Sequence, residues 1–94
     1  MAGYFVANYT ITSPAEYQAY LAAVGPITDA HGPERIVVDR DCELLEGSAG
    51  QVTVVLKFAA KAAGRAWYES PEYRAIRHLR TNNTEGIAVI AEGS

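Results

Sequence analysis

The sequence predicts a single α+β domain of the ferredoxin-like class, in which helices cover one face of a four-stranded antiparallel sheet. Three observations predict this class. The chain has 94 residues, enough for one continuous hydrophobic core, so residues 1–94 are expected to form one domain. The segments that favour strands and helices follow the order β-α-β-β-α-β. A Ser-Pro helix start also occurs in each half of the chain, at Ser13-Pro14 and at Ser70-Pro71.

The first quarter of the chain is predicted to form a strand that leads directly into a helix. Tyr4 to Ile11 is rich in aromatic and β-branched residues and contains neither glycine nor proline. Ser13 to Glu16 then supplies an N-cap hydroxyl, a proline at the first helical position and a carboxylate placed for a capping box. Apolar residues recur at helical spacing up to His31, although Gly25-Pro26 predicts a kink or an interruption of this helix.

The middle of the chain is predicted to form a hairpin. Arg35 to Glu46 carries two apolar runs separated by three charged residues, and is expected to be one long strand that is bent or bulged at its middle. Gly47 to Gly50 has the composition of a turn, and Gln51 to Phe58 is the next strand. These two strands are therefore expected to pair in antiparallel fashion.

The last third of the chain is predicted to contain a broken helical region and a final strand. Ala59 to Tyr68 is rich in alanine and favours a helix. Ser70 offers a new N-cap before Pro71, so the helix is expected to end there and a second one to run to about Asn82. Glu85 to Ala91 is the last predicted strand.

The predicted strands carry apolar side chains on both of their faces. An antiparallel sheet with helices on one side normally presents polar side chains to water on the other. Here Phe5 and Val6 are apolar on opposite faces of the first strand, and Val54 and Val55 repeat the pattern in the third. We therefore expect the second face to pack against another subunit, which makes the protein a homodimer.

Charge and composition exclude several classes of function. Eight basic and eleven acidic residues give a formal net charge of -3, the wrong sign for a protein that binds nucleic acid. The longest near-apolar stretch, Val52 to Leu56, is too short to span a membrane, and no signal peptide begins the chain, so a cytoplasmic location is expected. Cys42 is the single cysteine, and His31 and His78 are isolated, so neither a disulfide nor a metal site is expected.

One short predicted helix concentrates the charged candidates for ligand binding. Tyr73, Arg77 and Arg80 are spaced at i, i+4 and i+7, so they share one face of that helix. A guanidinium is suited to a carboxylate, enolate or phosphate, and the ring could stack on such a ligand. The alternative is a solvated helix face that pairs with the acidic side chains between residues 39 and 46.

Asn8 is the polar residue most out of place, because it lies within an apolar strand. A buried amide without a partner would cost about 1 to 3 kcal/mol, so we expect it to be hydrogen-bonded. A structural bond and a ligand-orienting role are both open for this side chain. Tyr17 and Tyr20 lie on the apolar stripe of the first helix, where a place in the core is favoured over the alternative of lining a pocket.

Five short motifs are distributed along the chain: Gly3 to Asn8, Ser13-Pro14 with Tyr17 and Tyr20, Leu45 to Gly47, Ser70 to Tyr73 with Arg80, and Ile90 to Gly93. Together they resemble the family known as domain of unknown function 1330. The likeness covers nearly the whole chain. It implies a dimeric α+β barrel, in which two ferredoxin-like sheets pack face to face, and it implies no particular reaction because members of the family are mostly uncharacterised.

A more distant likeness concerns monooxygenases of the same barrel superfamily. Asn8 together with Trp67 is similar to the pair that lines the oxygenation pocket of small antibiotic-biosynthesis-type and haem-degrading monooxygenases. The haem-degrading pattern would place its iron-binding histidine at the position of Arg77, so haem is not expected. The sequence also contains no phosphate-binding glycine loop, and no cofactor is expected.

These observations predict a small homodimer that binds a compact aromatic or acidic metabolite. The expected ligand-binding residues are Asn8, Trp67, Tyr73, Arg77 and Arg80. One hypothesis is a cofactor-independent enzyme of the isomerase, cyclase or monooxygenase type, with electrostatic or general acid/base catalysis. The alternatives are a non-catalytic ligand-binding module and a structural dimer whose polar residues serve only the interface. A cavity containing titratable groups favours the enzyme, and a packed interior favours the structural role.

Overall fold

A computed structural model describes all 94 residues of the chain. Its elements are β1 (Gly3–Ile11), α1 (Pro14–His31), β2 (Glu34–Asp39), β3 (Val52–Phe58), α2 (Lys61–Tyr68), α3 (Pro71–Thr81) and β4 (Thr84–Glu92). The four strands form one antiparallel sheet in the order β2-β3-β1-β4. The predicted α+β architecture with a four-stranded antiparallel sheet is therefore confirmed. None of the three helices combines the length and apolar character that crossing a membrane requires.

The core lies between the helices and one face of the sheet. It consists of ten buried residues: Phe5, Ala7, Tyr9, Tyr17, Tyr20, Val52, Leu56, Phe58, Trp67 and Tyr73. Seven of these ten are aromatic, and four of the seven are tyrosines. A buried phenol needs a hydrogen-bond partner, so this core must contain polar contacts as well as apolar packing.

The opposite face of the sheet is not covered by any helix of the chain. A row of four valines crosses all four strands on this face, because Val37 pairs with Val55, Val55 with Val6, and Val6 with Val89. We call these four residues the valine row. Ile87 lies beside the row on β4 and is 62% exposed.

Helix α1 differs from its predicted form at both its start and its middle. It runs from Pro14 to His31 with Pro26 inside it, so the predicted interruption does not occur. Pro26 and Ala22, whose carbonyl loses its helical partner, are both exposed, and water can satisfy that carbonyl. The Ser13 hydroxyl makes no cap hydrogen bond. Instead, the backbone N–H of Ser13 donates to the carbonyl of Asn83, which holds the start of α1 against the segment between α3 and β4.

Strand β2 is shorter than predicted, since it ends at Asp39 rather than at Glu46. The Asp39 carboxylate accepts a hydrogen bond of 2.8 Å from the backbone N–H of Asp41. This local turn competes with the strand and redirects the chain. The predicted bulge exists but lies earlier, between Arg35 and Val37.

The predicted break between α2 and α3 at Ser70 is confirmed. The buried Ser70 hydroxyl accepts a hydrogen bond of 3.2 Å from the backbone N–H of Tyr73 and donates one of 2.8 Å to the carbonyl of Trp67. One side chain thus satisfies a donor at the start of α3 and an acceptor at the end of α2.

Replacing Ser70 with alanine is expected to lower the free energy of unfolding by about 1 kcal/mol or somewhat more, because both hydrogen bonds are lost. The midpoint of urea unfolding measures this loss. Ser13→Ala is the matched control, since that serine also precedes a helix-starting proline but its hydroxyl caps nothing. Equal shifts for the two variants would contradict a special role for Ser70.

Candidate functional site

A cavity of about 230 Å³ lies between α1 and the helix-side face of β1, β2 and β3. It exists because α1 packs mainly against α3 rather than against the strands below it. The roof is provided by α1 through Tyr17, Tyr20, Leu21, Val24, Gly25 and Thr28. The floor is provided by Phe5, Ala7, Tyr9, Val52, Val54 and Leu56.

The two ends of the cavity differ in exposure. The inner end is closed by Trp67 and Arg80, both of which are buried. The other end opens at the edge strand β2, where Arg35, Val38 and the following residue Arg40 are exposed. A ligand would therefore enter between α1 and β2 and come to rest against the buried arginine.

Arg80 is a buried cation with no acidic partner. The residue is 6% exposed, and the ion pairs of the structure join Arg35 to Asp29 and Arg77 to Glu69. Its Nε donates to the Tyr73 hydroxyl at 3.3 Å, and its guanidinium lies 5.9 Å from the centre of the Tyr9 ring. No fully buried side-chain nitrogen or oxygen lacks a partner, so the two unbonded terminal nitrogens of Arg80 must border open space.

Burial alone would lower the pKa of the Arg80 guanidinium, because desolvation disfavours the charged form. The phenol oxygens of Tyr73 and, more weakly, Tyr20 and Tyr68 act in the opposite direction and raise that pKa above its ordinary value. Arg80 is therefore held as a cation at the inner end of the cavity.

Four tyrosine hydroxyls form two hydrogen-bonded pairs around Arg80. Tyr20 pairs with Tyr73 at 2.8 Å, and Tyr9 pairs with Tyr17 at 2.5 Å. Burial, reinforced by these paired phenols, raises the pKa of Tyr9 and of Tyr20 well above the usual value near 10. Both phenols are therefore neutral at physiological pH, where they can donate hydrogen bonds but cannot act as bases.

The charged side chains that line the cavity are three arginines: Arg35, Arg40 and Arg80. No carboxylate, imidazole, amine or thiol lines it. The structure also contains no group of three histidine, cysteine, aspartate or glutamate side chains placed to hold a metal ion. The arrangement can hold an anion and donate hydrogen bonds to it.

Three of the five predicted ligand-binding residues meet at the inner end of the cavity. Trp67 and Arg80 line it directly. Tyr73 lies immediately behind them, with its ring centre 4.4 Å from that of Trp67 and its hydroxyl on Arg80. The Trp67 indole N–H donates to the Thr28 hydroxyl at 3.2 Å, which fixes the indole against the roof.

Arg77 lies outside the cavity. Its guanidinium stacks 4.6 Å from the Tyr68 ring centre, donates to the Tyr68 carbonyl at 3.4 Å and lies 3.8 Å from the Glu69 carboxylate. A separation of three residues rotates it about 60° from Arg80 around the helix axis, which is enough to turn it toward α2. Neither arginine pairs with the acidic residues between 39 and 46.

Asn8 also lies outside the cavity, on the uncovered face of the sheet. Its amide nitrogen donates to the carbonyls of Gly50 and Val52, and its amide oxygen accepts from the Gly50 N–H at 2.8 Å. The Cys42 thiol donates to the same Gly50 carbonyl at 3.1 Å. In this structure Asn8 makes the structural bonds that hold the loop between β2 and β3 against β1.

The comparisons with known proteins identify a family and a fold. The family described as "Domain of unknown function (DUF1330)" matches residues 2–94. No curated protein matches the sequence.

Three solved structures share the fold at identities too low to carry a function. A protein of unknown function from Rhodopseudomonas palustris has a TM-score of 0.74 and 14% identity, over 99% of this chain and 82% of that one. SnoaB, a cofactor-independent oxygenase from Streptomyces nogalater, has a TM-score of 0.63 and 16% identity, over 99% of this chain and 93% of that one. HapK from Hahella chejuensis has a TM-score of 0.59 and 15% identity, over 98% of this chain and 92% of that one.

Proposed function

This chain belongs to the DUF1330 family, and we propose that it is a homodimer that binds a compact aromatic or acidic anion in the cavity beneath α1. The observation that carries the proposal is Arg80, a buried arginine that lines the cavity and has no carboxylate partner. Burying a cation is costly unless an anion compensates it. A bound carboxylate or enolate would supply that anion.

The walls of the cavity favour a small aromatic ligand. A volume of about 230 Å³ lies below the roughly 300 to 1,000 Å³ typical of sites for drug-sized molecules, so a single ring with its substituents is the appropriate size. Twelve of the 17 lining residues are hydrophobic, and they include the rings of Phe5 and Trp67. Such walls accept an aromatic face, while Arg80 orients the anionic group.

Catalysis in this cavity would be electrostatic. Arg80 and the neutral phenols can stabilise negative charge on a bound molecule, which favours reactions whose substrate is already an anion or becomes one. The lining provides no side chain that takes up a proton at neutral pH. Ligand binding is therefore the activity that these residues support most directly, with cofactor-independent catalysis resting on the same contacts.

The homodimer is proposed to form through the valine row. The Cα trace measures 32 × 31 × 15 Å, so a single chain is a slab about half as thick as it is wide. Two slabs stacked sheet to sheet, with the usual spacing of about 10 Å between sheets, would measure about 40 Å along the stacking direction, so the dimer would no longer be flat. The stacking would remove Val89 and Ile87, now 48% and 62% exposed, from water.

Wild-type protein is expected to bind benzoate and not benzylamine, which has a similar shape and the opposite charge. Trp67 is the only tryptophan and lines the cavity, so its fluorescence reports occupancy directly. Titrations with benzoate, benzylamine and neutral benzyl alcohol separate the effect of charge from that of the ring. Equal responses to benzoate and benzylamine, or no response to benzoate, would rule out an anion site.

A further inference from the structure

We infer that the ligand carries two anionic groups, one bound by Arg80 at the inner end of the cavity and the other by Arg40 at its mouth. This inference rests on the proposed function and specifies its ligand class, which is a compact dianion such as an aromatic dicarboxylate. It depends on how the edge strand β2 is placed against β3 and on which mouth cation is free.

A β-bulge sets the direction of the side chains at the mouth. Before the bulge, Arg35 pairs with Leu56, which belongs to the buried face of the sheet. After it, Val38 pairs with Val54, which lines the cavity. Three positions separate Arg35 from Val38, where regular alternation would require an even number. The extra residue, Ile36, therefore turns both of them toward the cavity.

The bulge also decides the charge at the mouth. Regular alternation from Arg35 would place Asp39 toward the cavity, opposite in sign to the arginine. With the bulge, Arg35, Val38 and Arg40 line the cavity, while Asp39 pairs with Thr53 on the other face of the sheet. The mouth therefore presents two arginines and no carboxylate among its lining residues.

Arg40 is the free cation of this pair. The Arg35 guanidinium lies 2.8 Å from the Asp29 carboxylate at the end of α1, so its charge is already compensated. Arg40 takes part in no ion pair and no side-chain hydrogen bond of the chain, and it is exposed. A second anionic group of the ligand would give it a partner.

The position of Arg40 relative to Arg80 suits a short, rigid dianion. Asp39 pairs with Thr53, and the Cys42 N–H donates to the Gln51 carbonyl, so Arg40 stays beside β3 near Val52. Val52 pairs in turn with Tyr9, over whose ring Arg80 lies. Two strand spacings, or about 10 Å, thus separate the backbone at Arg40 from that at Tyr9. Across that distance, two long arginine side chains can bind the anionic groups at the two ends of one aromatic ring.

The test compares terephthalate with monomethyl terephthalate, which keeps the ring and both carbonyl groups but only one negative charge. Trp67 fluorescence titrations at low ionic strength are expected to show that wild-type protein binds the dianion about fivefold more tightly. Arg40→Gln should abolish this preference while leaving the affinity for the monoester nearly unchanged. Arg74→Gln is the control, because Arg74 is exposed on α3 and does not line this cavity, and it should keep the preference.

Ionic strength provides an independent reading. Because Arg40 is exposed, the preference for terephthalate should shrink as added salt shortens the screening length, which is about 8 Å at 0.15 M ionic strength and shorter at higher ionic strength. Equal affinities of the wild-type protein for the two probes, or a preference that survives Arg40→Gln, would overturn the inference. Binding of the monoester that still depends on Arg80 would then leave the proposed function standing, whereas failure of benzoate and both terephthalate probes to bind would remove the proposed function itself.

Discussion

Replacing Arg80 with leucine is expected to weaken benzoate binding by about a hundredfold, the largest effect that any single substitution in the cavity should have. Two charge-assisted hydrogen bonds to a carboxylate are worth at least about 1.5 kcal/mol each, and a hundredfold change corresponds to about 2.8 kcal/mol. The free energy of unfolding should change little. Leucine keeps much of the apolar bulk and removes a cation whose burial no carboxylate of the chain offsets.

Arg77→Leu is the matched control, because it removes the same group from the same helix outside the cavity. It should leave the benzoate titration of Trp67 fluorescence unchanged. Arg80→Lys keeps the charge but not the paired donors, so an intermediate affinity is expected. An Arg80→Leu protein that unfolds much more easily, yet binds benzoate as the wild type does, would make Arg80 a structural residue.

Replacing Val89 with glutamate is expected to convert a dimer into a monomer. In a face-to-face dimer each copy would bury its new carboxylate against the valine row of the other copy. Removing an unpaired charge from water costs several kcal/mol per ion. Sedimentation equilibrium at micromolar concentration should give about twice the chain mass of 10.1 kDa for the wild type and about that mass for the variant.

Ala22→Glu is the control for this experiment, since it adds the same charge to an exposed position of α1 on the opposite side of the molecule. That variant should remain dimeric. Circular dichroism should show that Val89→Glu keeps its secondary structure, because Val89 is half-exposed on the edge strand β4. A wild-type chain that sediments as a monomer would refute the proposed assembly.

Most of the fold was predictable because local signals agree with the tertiary structure. The order of strands and helices, the start of α1 at Pro14 and the break at Ser70 all follow from turn chemistry and periodicity. The predicted end of β2 was wrong because the apolar residues after Asp41 favour a strand. The Asp39 carboxylate instead forms a turn that strand propensities do not capture. Pro26 is the opposite case, because the proline predicts an interruption and the helix nevertheless continues through it. The lost hydrogen bond is tolerated there because it lies on the solvent side of α1.

The site was less predictable because it depends on contacts between distant segments. The spacing of Tyr73 and Arg80 on α3 indicated the inner end, and a tryptophan resembling that of a known pocket indicated its wall. The neutral phenols of Tyr9 and Tyr20 were not predicted as cavity residues, because periodicity does not distinguish a core tyrosine from one beside an open volume. Nothing in the sequence near Arg40 reveals which way it faces, since that direction depends on the exact position of the bulge.

The bulge at Ile36 also bears on how this chain could acquire a new specificity in evolution. A point substitution alters one side chain, but a one-residue shift in strand pairing changes the face on which every later residue of the shifted strand lies. If β2 paired regularly through Ile36 without its bulge, Asp39 would come opposite Val52 and turn into the mouth in place of Arg40. Such a shift would reverse the charge offered to a ligand while leaving the floor, the roof and Arg80 intact. The pairing register of this edge strand, rather than substitution within the core, is therefore the feature along which relatives of this protein should diverge in the ligands that they accept.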